Sequence, residues 1–504
     1  MAASCVPPFS GIDGARMRLK RLLYLGHRWL GIILCLFMAM WFVSGVVMMY
    51  VGYPKLTSAE RLAAARPLEA SGCCVAGAAL VEAAAKDGGL RSLRLVNAGG
   101  DPRFIASASR NSLTAIHALS GDLVAASDAT QVRATASQFA RGAPVTEVIQ
   151  VEEDAWTHSR ALDPFRPLWR ASVQDPNLAY VYVSGRTGEV VRDVTTTERN
   201  WNWVGAWLHW LYPLRGGWLD RWWTEIVVYL SLVATVLAIT GLVVGILRWR
   251  LQPYRSGSRS PYRTRMMRWH HWGGLIFGVL AVTWIASGLF SMNPWKIFSP
   301  DVPKMPESRI PVSAGTAESA GGALQCFSRH GFEARELEWR RLGEDVLIEG
   351  RNGSGGLLLL RANGRCEPLS HLDAAAIERE AERLMPHARK LAVRVQQEYD
   401  WNYYARAVHS MTGHFEKPLP VLVVEFDDPY ATTLYMDLRN GRLLQHLDDR
   451  RRVKRWLFAF FHSWDWLPLL DRRPLWDVLL IVGSIGGLLI SLTGIVIGWR
   501  RLIR

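Results

Sequence analysis

The chain has 504 residues, of which 49% are hydrophobic and 23 are tryptophan, and Lys plus Arg exceed Asp plus Glu by 14. This composition excludes a disordered chain, which would be poor in apolar and aromatic residues. With six cysteines in this length it also excludes a small disulfide-dense scaffold. At roughly 150 residues per domain, the length predicts about three structural units.

Four uncharged apolar runs are long enough to cross a bilayer. They lie at residues 29–54, 226–247, 271–295 and 478–499. Because a hydrocarbon core of about 30 Å needs about 20 apolar residues in a helix, each run predicts a transmembrane helix. Tyr53 and Trp499, at run ends, suit the aromatic belts of a membrane interface.

Arginine and lysine concentrate before the first run, between the second and third, and after the fourth. The positive-inside rule places these short segments, and both termini, in the cytoplasm of a bacterium. The two long segments are then periplasmic domains on the far side of the inner membrane. The basic loop is short and tethered at the bilayer, so we expect it to meet lipid and not nucleic acid.

The predicted organisation follows from these spans. It consists of the N terminus and first helix (1–53), a periplasmic domain ending in an interfacial segment (54–222), the second helix (223–249), a basic cytoplasmic loop (250–269), the third helix (270–295), a second periplasmic domain ending in an interfacial segment (296–474), and the fourth helix with the C terminus (475–504).

Motifs recur at two constant offsets. An offset of 243 residues relates His27, Ser44 and Gly45 to His270, Ser287 and Gly288. An offset of 253 residues relates His209, Thr240 and Gly241 to His462, Thr493 and Gly494. Two registers held across whole segments predict a duplicated chain. Each half would be a helix, an outer domain and a helix, related by a pseudo-two-fold axis along the membrane normal.

The outer segments have α+β patterns. Residues 374–388 predict a helix, 421–426 predict a strand, and Asn440-Gly441 is typical of a hairpin turn. Residues 301–325 are rich in Pro, Ser, Gly and Ala and predict a flexible linker. Cys326 and Cys366 both lie outside the membrane and could pair.

Four repeat-related histidines lie near the predicted membrane faces. His27 and His270 lie at the inner face, and His209 and His462 lie in Trp-rich stretches at the outer face. Neutral imidazoles on facing helices can clamp a haem iron, and without a Cys-x-x-Cys-His motif any haem is b-type. We therefore expect two b-type haems, one held by each pair. His271 is an alternative to His270, and hydrogen-bonded interfacial roles are the alternative for all four.

A second group lies in the outer segments and could hold a ferric chelate or another acceptor. Its members are His158, His409, His414, Tyr403 and Tyr404. The alternative is a structural entry to a strand. The chain has neither a P-loop nor a dinucleotide fingerprint, so electrons would come from a quinol or from a separate cytoplasmic reductase.

Several short motifs resemble the PepSY-associated transmembrane family. They include His27-Arg-Trp-Leu-Gly, Asp427-Asp-Pro, Tyr435-Met-Asp, Arg455-Trp-Leu, Arg473-Pro-Leu-Trp-Asp and Thr493-Gly494. The resemblance covers about residues 18–504. It implies four transmembrane helices, periplasmic PepSY modules and, in some members, an inner-membrane ferric-siderophore reductase carrying b-type haems. It carries the ligand roles to His27, His270, His209 and His462.

Two functions remain open at this point. The first is a transmembrane oxidoreductase that reduces a periplasmic ferric siderophore to release iron. The second is a non-enzymatic membrane anchor whose PepSY modules bind or inhibit periplasmic peptidases.

Overall fold

The computed structural model describes residues 10–75, 78–85, 88–109, 111–299, 305–313 and 315–503. The chain separates into two units. The membrane unit comprises residues 1–51, 202–300 and 450–504, and the sheet unit comprises residues 52–201 and 301–449.

Helices are found in both units. In chain order they are α1 (Ser10–Met48), α2 (Ser58–Ala64), α3 (Ala78–Ala85), α4 (Ala129–Phe139), α5 (Thr196–Trp201), α6 (Ala206–His209), α7 (Trp223–Arg248), α8 (Arg265–Ser291), α9 (Gly315–Arg329), α10 (Ala374–Leu384), α11 (Asp449–Lys454), α12 (Phe461–Ser463), α13 (Leu467–Leu470) and α14 (Leu475–Leu502). A π-helical segment, Arg455–Phe460, joins α11 to α12.

Four helices of the membrane unit are long and apolar enough to span a membrane, as the sequence predicts. These spans are Met17–Met48, Asp220–Arg248, Arg265–Ser291 and Leu475–Leu502. Helix α1 packs on α7 and α14, and α8 also packs on α7 and α14. The four helices therefore form a closed ring in the order α1, α7, α8, α14. Helices α1 and α8 face each other across its centre.

Large aromatic side chains fill the middle of this ring, where α14 supplies glycines. The rings of Phe42 and Trp284 lie 6.0 Å apart between their centroids. A Cβ atom on Gly487 would lie 2.3 Å from the Phe42 ring, and one on Gly483 would lie 2.9 Å from Trp284. Only glycine at these positions leaves room for both aromatic side chains.

The described residues of the sheet unit form three antiparallel sheets. In chain order the strands are β1 (Ser92–Ala98), β2 (Asp101–Ser109), β3 (Ser112–His117), β4 (Val145–Val151), β5 (Leu168–Val173), β6 (Leu178–Ser184), β7 (Val190–Thr195), β8 (Glu336–Leu342), β9 (Asp345–Arg351), β10 (Leu357–Arg361), β11 (Arg389–Gln396), β12 (Val421–Asp427), β13 (Thr433–Asp437) and β14 (Leu443–Leu447). The strand orders are β10-β9-β8-β1-β2-β3, β4-β5-β6-β7 and β11-β12-β13-β14.

The six-stranded sheet joins the two long outer segments, which the sequence analysis treated as one domain each. Strands β1–β3 come from the first segment and β8–β10 from the second, and β1 pairs with β8 antiparallel. At this seam Leu95 lies opposite Leu337, and both side chains are buried. Two edge strands thus cover each other, which removes exposed hydrogen-bonding edges from both segments.

The two four-stranded sheets each carry one helix, α4 or α10. Asp128 caps the N terminus of α4, and Asp373 caps that of α10, through side-chain hydrogen bonds to backbone N–H groups. The predicted helix, strand and hairpin of the second segment are confirmed by α10, β12 and the β13–β14 turn. Gly441 in that turn has a φ of +71°, which a side chain disfavours.

The sequence prediction of a flexible linker at residues 301–325 is wrong for its second part. Helix α9 begins at Gly315, and Ala320, Leu324 and Phe327 bury their side chains in the core of the six-stranded sheet. A disulfide joins Cys326 of α9 to Cys366. Small residues selected for packing explain the linker-like composition.

Candidate functional site

Two histidines of opposite helices meet inside the ring. His27 of α1 and His270 of α8 have ring centroids 6.2 Å apart and planes inclined by 39°. Glycines lie beside both imidazoles. A Cβ atom on Gly241 would lie 2.7 Å from Cε1 of His27, and one on Gly494 would lie 3.4 Å from Cε1 of His270. The Thr-Gly motifs of α7 and α14 therefore make space for the inner pair.

The other end of the bundle carries a second pair. His209 ends α6, which packs on α1, and His462 lies in α12, which packs on α8. Their ring centroids are also 6.2 Å apart, with planes inclined by 72°. The indole N–H of Trp41 donates a hydrogen bond to the carbonyl of His209 at 3.0 Å and so fixes α6 on α1.

Hydroxyl groups orient three of the four imidazoles. Nδ1 of His209 lies 2.9 Å from Oγ of Ser44, and Nδ1 of His462 lies 3.1 Å from Oγ of Ser287. Nδ1 of His270 lies 3.1 Å from Oγ1 of Thr493 and 3.0 Å from the carbonyl oxygen of Ile490. Each hydroxyl also donates its own proton to a carbonyl of the preceding helical turn.

The direction of these bonds fixes the tautomer. Because the hydroxyl proton is already donated to the helix, the oxygen accepts, and Nδ1 of the imidazole must carry the proton. The lone pair of each ring is then on Nε2, which forms no hydrogen bond with a residue in the described part of the chain. A neutral imidazole with a free Nε2 lone pair is the ordinary form of a metal-ligating histidine.

The inner histidine of the first half differs from the other three. Nδ1 of His27 is buried and forms no hydrogen bond within the described residues. Buried polar atoms normally have a partner. The backbone of Leu237 is near the His27 ring, but within the described residues no hydroxyl orients this ring as one does the other three.

His271, the alternative to His270, has a different environment. Its Nδ1 lies 2.9 Å from Oγ of Ser260, and its Nε2 lies 2.9 Å from the carbonyl oxygen of Gly245. Both ring nitrogens of this buried residue are engaged, so neither lone pair nor space is left for a ligand. The geometry favours His270 for the inner pair.

The acceptor-site candidates all lie in the sheet unit, in the first connection of each four-stranded sheet. His158 lies between β4 and β5, and His409 and His414 lie between β11 and β12. His158 is buried, and its Nδ1 is 2.5 Å from a carboxylate oxygen of Glu153. The His414 side chain is half-buried.

The two tyrosine candidates differ from each other. Tyr403 is fully buried, stacks on Tyr435 with centroids 4.9 Å apart, and donates to the carbonyl of Pro418. Burial also raises the pKa of its phenol. Tyr403 is thus a core residue and cannot contact a surface ligand, whereas Tyr404 is half-buried.

Lysines give this second connection a positive character. Lys55 donates hydrogen bonds from Nζ to the carbonyls of Ser410 and Met411. Burial, reinforced by repulsion from Arg192, lowers the pKa of Lys55 to about 8. Burial alone lowers the pKa of Lys417 to about 8. Burial and the charges of Lys55 and Arg192 lower the pKa of His414, which is therefore a neutral ring beside them. We call Lys55 and Arg192 the cationic cluster.

The family model described as "PepSY-associated TM region" matches residues 24–501, nearly the whole chain. The chain belongs to the PepSY-associated transmembrane family. The resemblance stated from its motifs is therefore confirmed. No curated protein and no solved structure matches this PepSY-associated protein.

The spacing of the imidazoles allows a test of whether a metal fits between them. When two imidazoles bind one metal through nitrogen atoms at about 2 Å each, their ring centroids lie about 6 Å apart. Both pairs of the PepSY-associated protein have this spacing, at 6.2 Å. Neutral imidazole nitrogens are donors of the kind that would hold a haem iron, so the chemistry of each pair fits that group.

Sequence analysis found the four histidines of this PepSY-associated protein but missed the residues that orient them. Ser44, Ser287 and Thr493 were noted only as matching motifs, and so were Gly241 and Gly494. Their signal was present as the repeated Ser-Gly and Thr-Gly pairs. The sequence does not show the helix packing that directs these Ser-Gly and Thr-Gly motifs toward the imidazoles.

Proposed function

We propose that this protein is a membrane di-haem b electron-transfer protein that reduces a ferric siderophore and so releases iron. His27 and His270 would hold one haem, and His209 and His462 the other. The observation that carries this proposal is the equal 6.2 Å spacing of two imidazole pairs at opposite ends of one bundle. The alternative role, in which each histidine only forms hydrogen bonds to the helices, does not require the rings to lie in such pairs.

The chemistry balances with one electron for each ferric ion. A b-type haem, when bound, supplies reversible one-electron chemistry. A quinol that loses two electrons and two protons would serve two ferric ions, and a cytoplasmic reductase is the other possible donor. Hard oxygen ligands hold ferric iron far better than ferrous iron, so reduction loosens the chelate.

In this proposal the residues of the chain itself would bind the haems, orient the imidazoles and exclude water. The hydroxyls of Ser44, Ser287 and Thr493 keep the proton on Nδ1 and thereby keep Nε2 available. The aromatic packing around Phe42 and Trp284 keeps water out of the interval between the two pairs. A dry and rigid surrounding lowers the reorganisation that accompanies a change of charge.

We also propose that the two halves are repeats with a parallel pseudo-two-fold relation. Within the described residues each half runs from a spanning helix through three strands, one helix (α4 or α10) and four strands to a second spanning helix. Equivalent hydrogen bonds support this: the indole of Trp223 donates to the carbonyl of Trp210 at 2.8 Å, and that of Trp476 donates to Ser463 at 3.0 Å.

The acceptor would bind at the sheet unit, on the periplasmic side of a bacterial inner membrane. The orientation rests on the arginine-rich flanks, which place the termini in the cytoplasm. The cationic cluster, with exposed Met411 and Phe415 of the connection that Lys55 contacts, offers charge and apolar surface to an anionic chelate. His414 and Tyr404 are the candidates best placed to contact it, because Tyr403 is enclosed.

The test is the absorbance spectrum and haem content of the full-length protein purified in detergent. We expect Soret and α bands that sharpen on dithionite addition, and two haems per chain. Replacing any one of the four ligand histidines by alanine should lower the content to about half. His371, an exposed histidine of the sheet unit, provides the control His371→Ala.

Size-exclusion elution of each variant separates loss of haem from loss of fold. Reduction of a ferric chelate, followed by a ferrous-specific dye, tests the activity. A featureless wild-type spectrum would reject the proposal and favour the peptidase-binding anchor. Full haem content in all four variants would reject the ligand assignment.

A further inference from the structure

An apolar cleft of about 320 Å³ opens on the outer surface of the membrane unit, between α7 and α8. Its walls are Ile246, Trp249, Trp272, Leu275 and Ile276. The two indoles meet edge to face with centroids 4.9 Å apart. Ile246 and Ile276 are 59% and 66% exposed. The cleft therefore presents a hydrocarbon surface sideways, where a membrane-spanning bundle meets lipid.

The loop next to this cleft is strongly basic and has no neutralising acid. No aspartate or glutamate occurs from residue 226 to residue 300. Six arginines of the segment have exposed side chains: Arg250, Arg255, Arg259, Arg263, Arg265 and Arg268. Within the described residues none of them forms an ion pair. Their charge is thus available to an anion from outside the chain.

Two of these arginines lie at the cleft itself. The guanidinium of Arg259 is 5.9 Å from the ring of Trp249, and that of Arg250 is 4.4 Å from the ring of Tyr254. The backbones of Arg250 and Arg259 lie side by side, joined by a hydrogen bond of 3.4 Å. The loop thus folds back so that the backbones of both arginines lie beside Trp249, with the Arg259 guanidinium near the Trp249 ring and the Arg250 guanidinium over Tyr254.

His271 holds this loop in place. It links Ser260, at the end of the loop, to the carbonyl of Gly245 on α7, and its ring contacts Tyr262 edge to face. The arginines are therefore attached to an ordered support beside the cleft.

We propose that this cleft and its two arginines form a binding site for an anionic phospholipid. An acyl chain would lie along Ile246 and Ile276, and the phosphate would lie between Arg250 and Arg259. Charge decides the occupant, because a neutral quinol offers no counterion to these exposed arginines and a zwitterionic headgroup offers no net negative charge. Anionic headgroups are attracted by about 1 kcal/mol per basic residue, which is about fivefold in affinity.

The experiment measures retention of phosphatidylglycerol by the delipidated full-length protein, using native mass spectrometry and phosphatidylcholine as the zwitterionic comparison. We expect Arg250→Gln/Arg259→Gln to weaken phosphatidylglycerol binding by about 25-fold. The control Arg255→Gln/Arg263→Gln removes the same charge away from the indoles and should change binding by less than about threefold. Ile276→Trp should fill the cleft and abolish retention.

Each result decides the proposal independently of any haem. Equal weakening by both arginine pairs would show diffuse surface attraction and overturn the site. Retention unaffected by Ile276→Trp would show that no acyl chain lies in the cleft and would also overturn it. Equal retention of phosphatidylcholine, or a co-purified quinone in this position, would contradict the choice of occupant.

Discussion

Removing the Ser44 hydroxyl tests how the outer imidazole pair works. Ser44 accepts from Nδ1 of His209 at 2.9 Å, and the backbone carbonyl of Trp41 is a second partner of that ring, so Ser44→Ala removes the hydroxyl acceptor and leaves only the carbonyl. Such a loss costs about 1–3 kcal/mol. Losing an outer hydrogen bond of this kind typically weakens metal binding by about 10–100-fold. With haem bound as in the proposed function, we expect it to leave the outer pair faster by a factor in that range.

A graded series follows from the other contacts. In Ser287→Ala the carbonyl of Trp284, 3.3 Å from Nδ1 of His462, remains as a poor acceptor. In Thr493→Val the carbonyl of Ile490 remains at 3.0 Å as a good one. His209 keeps the equivalent carbonyl of Trp41. The effect should therefore be similar in Ser44→Ala and Ser287→Ala and smallest in Thr493→Val.

Haem transfer to excess apomyoglobin gives the rate of loss, and a redox titration gives the midpoint potential. An imidazole without its Nδ1 hydrogen bond is a weaker base, stabilises ferric iron less, and should raise the potential of that haem. Thr240→Val is the matched control, because its hydroxyl bonds only to carbonyls of its own helix. Rates and potentials that do not differ between Ser44→Ala and Thr240→Val would refute the reasoning.

Three further predictions concern other parts of the molecule. Gly241→Ala should lower haem occupancy of the inner pair in a haemochrome assay, because its Cβ would lie 2.7 Å from an imidazole, whereas Gly45→Ala, at 3.7 Å, should have no effect. Cys326→Ser should destabilise the six-stranded sheet by about 4 kcal/mol, because the disulfide closes a loop with a sequence separation of 40; an unchanged Tm would contradict this. Lys55 and Lys417 should titrate near pH 8 in NMR spectra of ¹³C-methylated lysines. Because each pKa is lower than in the unfolded chain, the unfolding free energy should rise from pH 8 to about pH 10, and titration only above pH 10 would reject the burial argument.

Much of the membrane unit could be predicted from the sequence because lipid imposes a simple rule. Each span must be a helix of about 20 apolar residues, and the four runs obey it. Composition did not predict the secondary structure of segments in which tertiary packing determines it. The Gly- and Ala-rich sequence around Ala320 resembles a linker, yet small side chains are what allow α9 to approach the sheet closely. The sequence near β1 and the sequence near β8 do not predict that these strands pair, because the contact joins residues more than 200 positions apart.

The candidate site was predictable to the same limited extent. Histidines at duplicated positions identified the four rings, because a repeat marks residues without knowledge of their contacts. The repeat alone did not decide whether His270 or His271 is the ligand. These two residues differ in whether the helix directs the side chain into the bundle or toward the loop. Sequence reasoning also misjudged Tyr403, because an aromatic residue next to histidines has the same pattern whether it faces a ligand or a core.

The ring order of the helices explains why both halves of the chain are needed. Helices α1 and α8 are diagonal, so each half contributes one imidazole to each pair: His27 with His270, and His209 with His462. A single half could complete a pair only with a second copy of itself. Under the proposed duplication, fusion of the halves lets equivalent positions diverge: Thr493 bonds to His270, while among the described residues its counterpart Thr240 bonds to carbonyls of its own helix. The two rings of the inner pair then differ in whether a hydroxyl orients them.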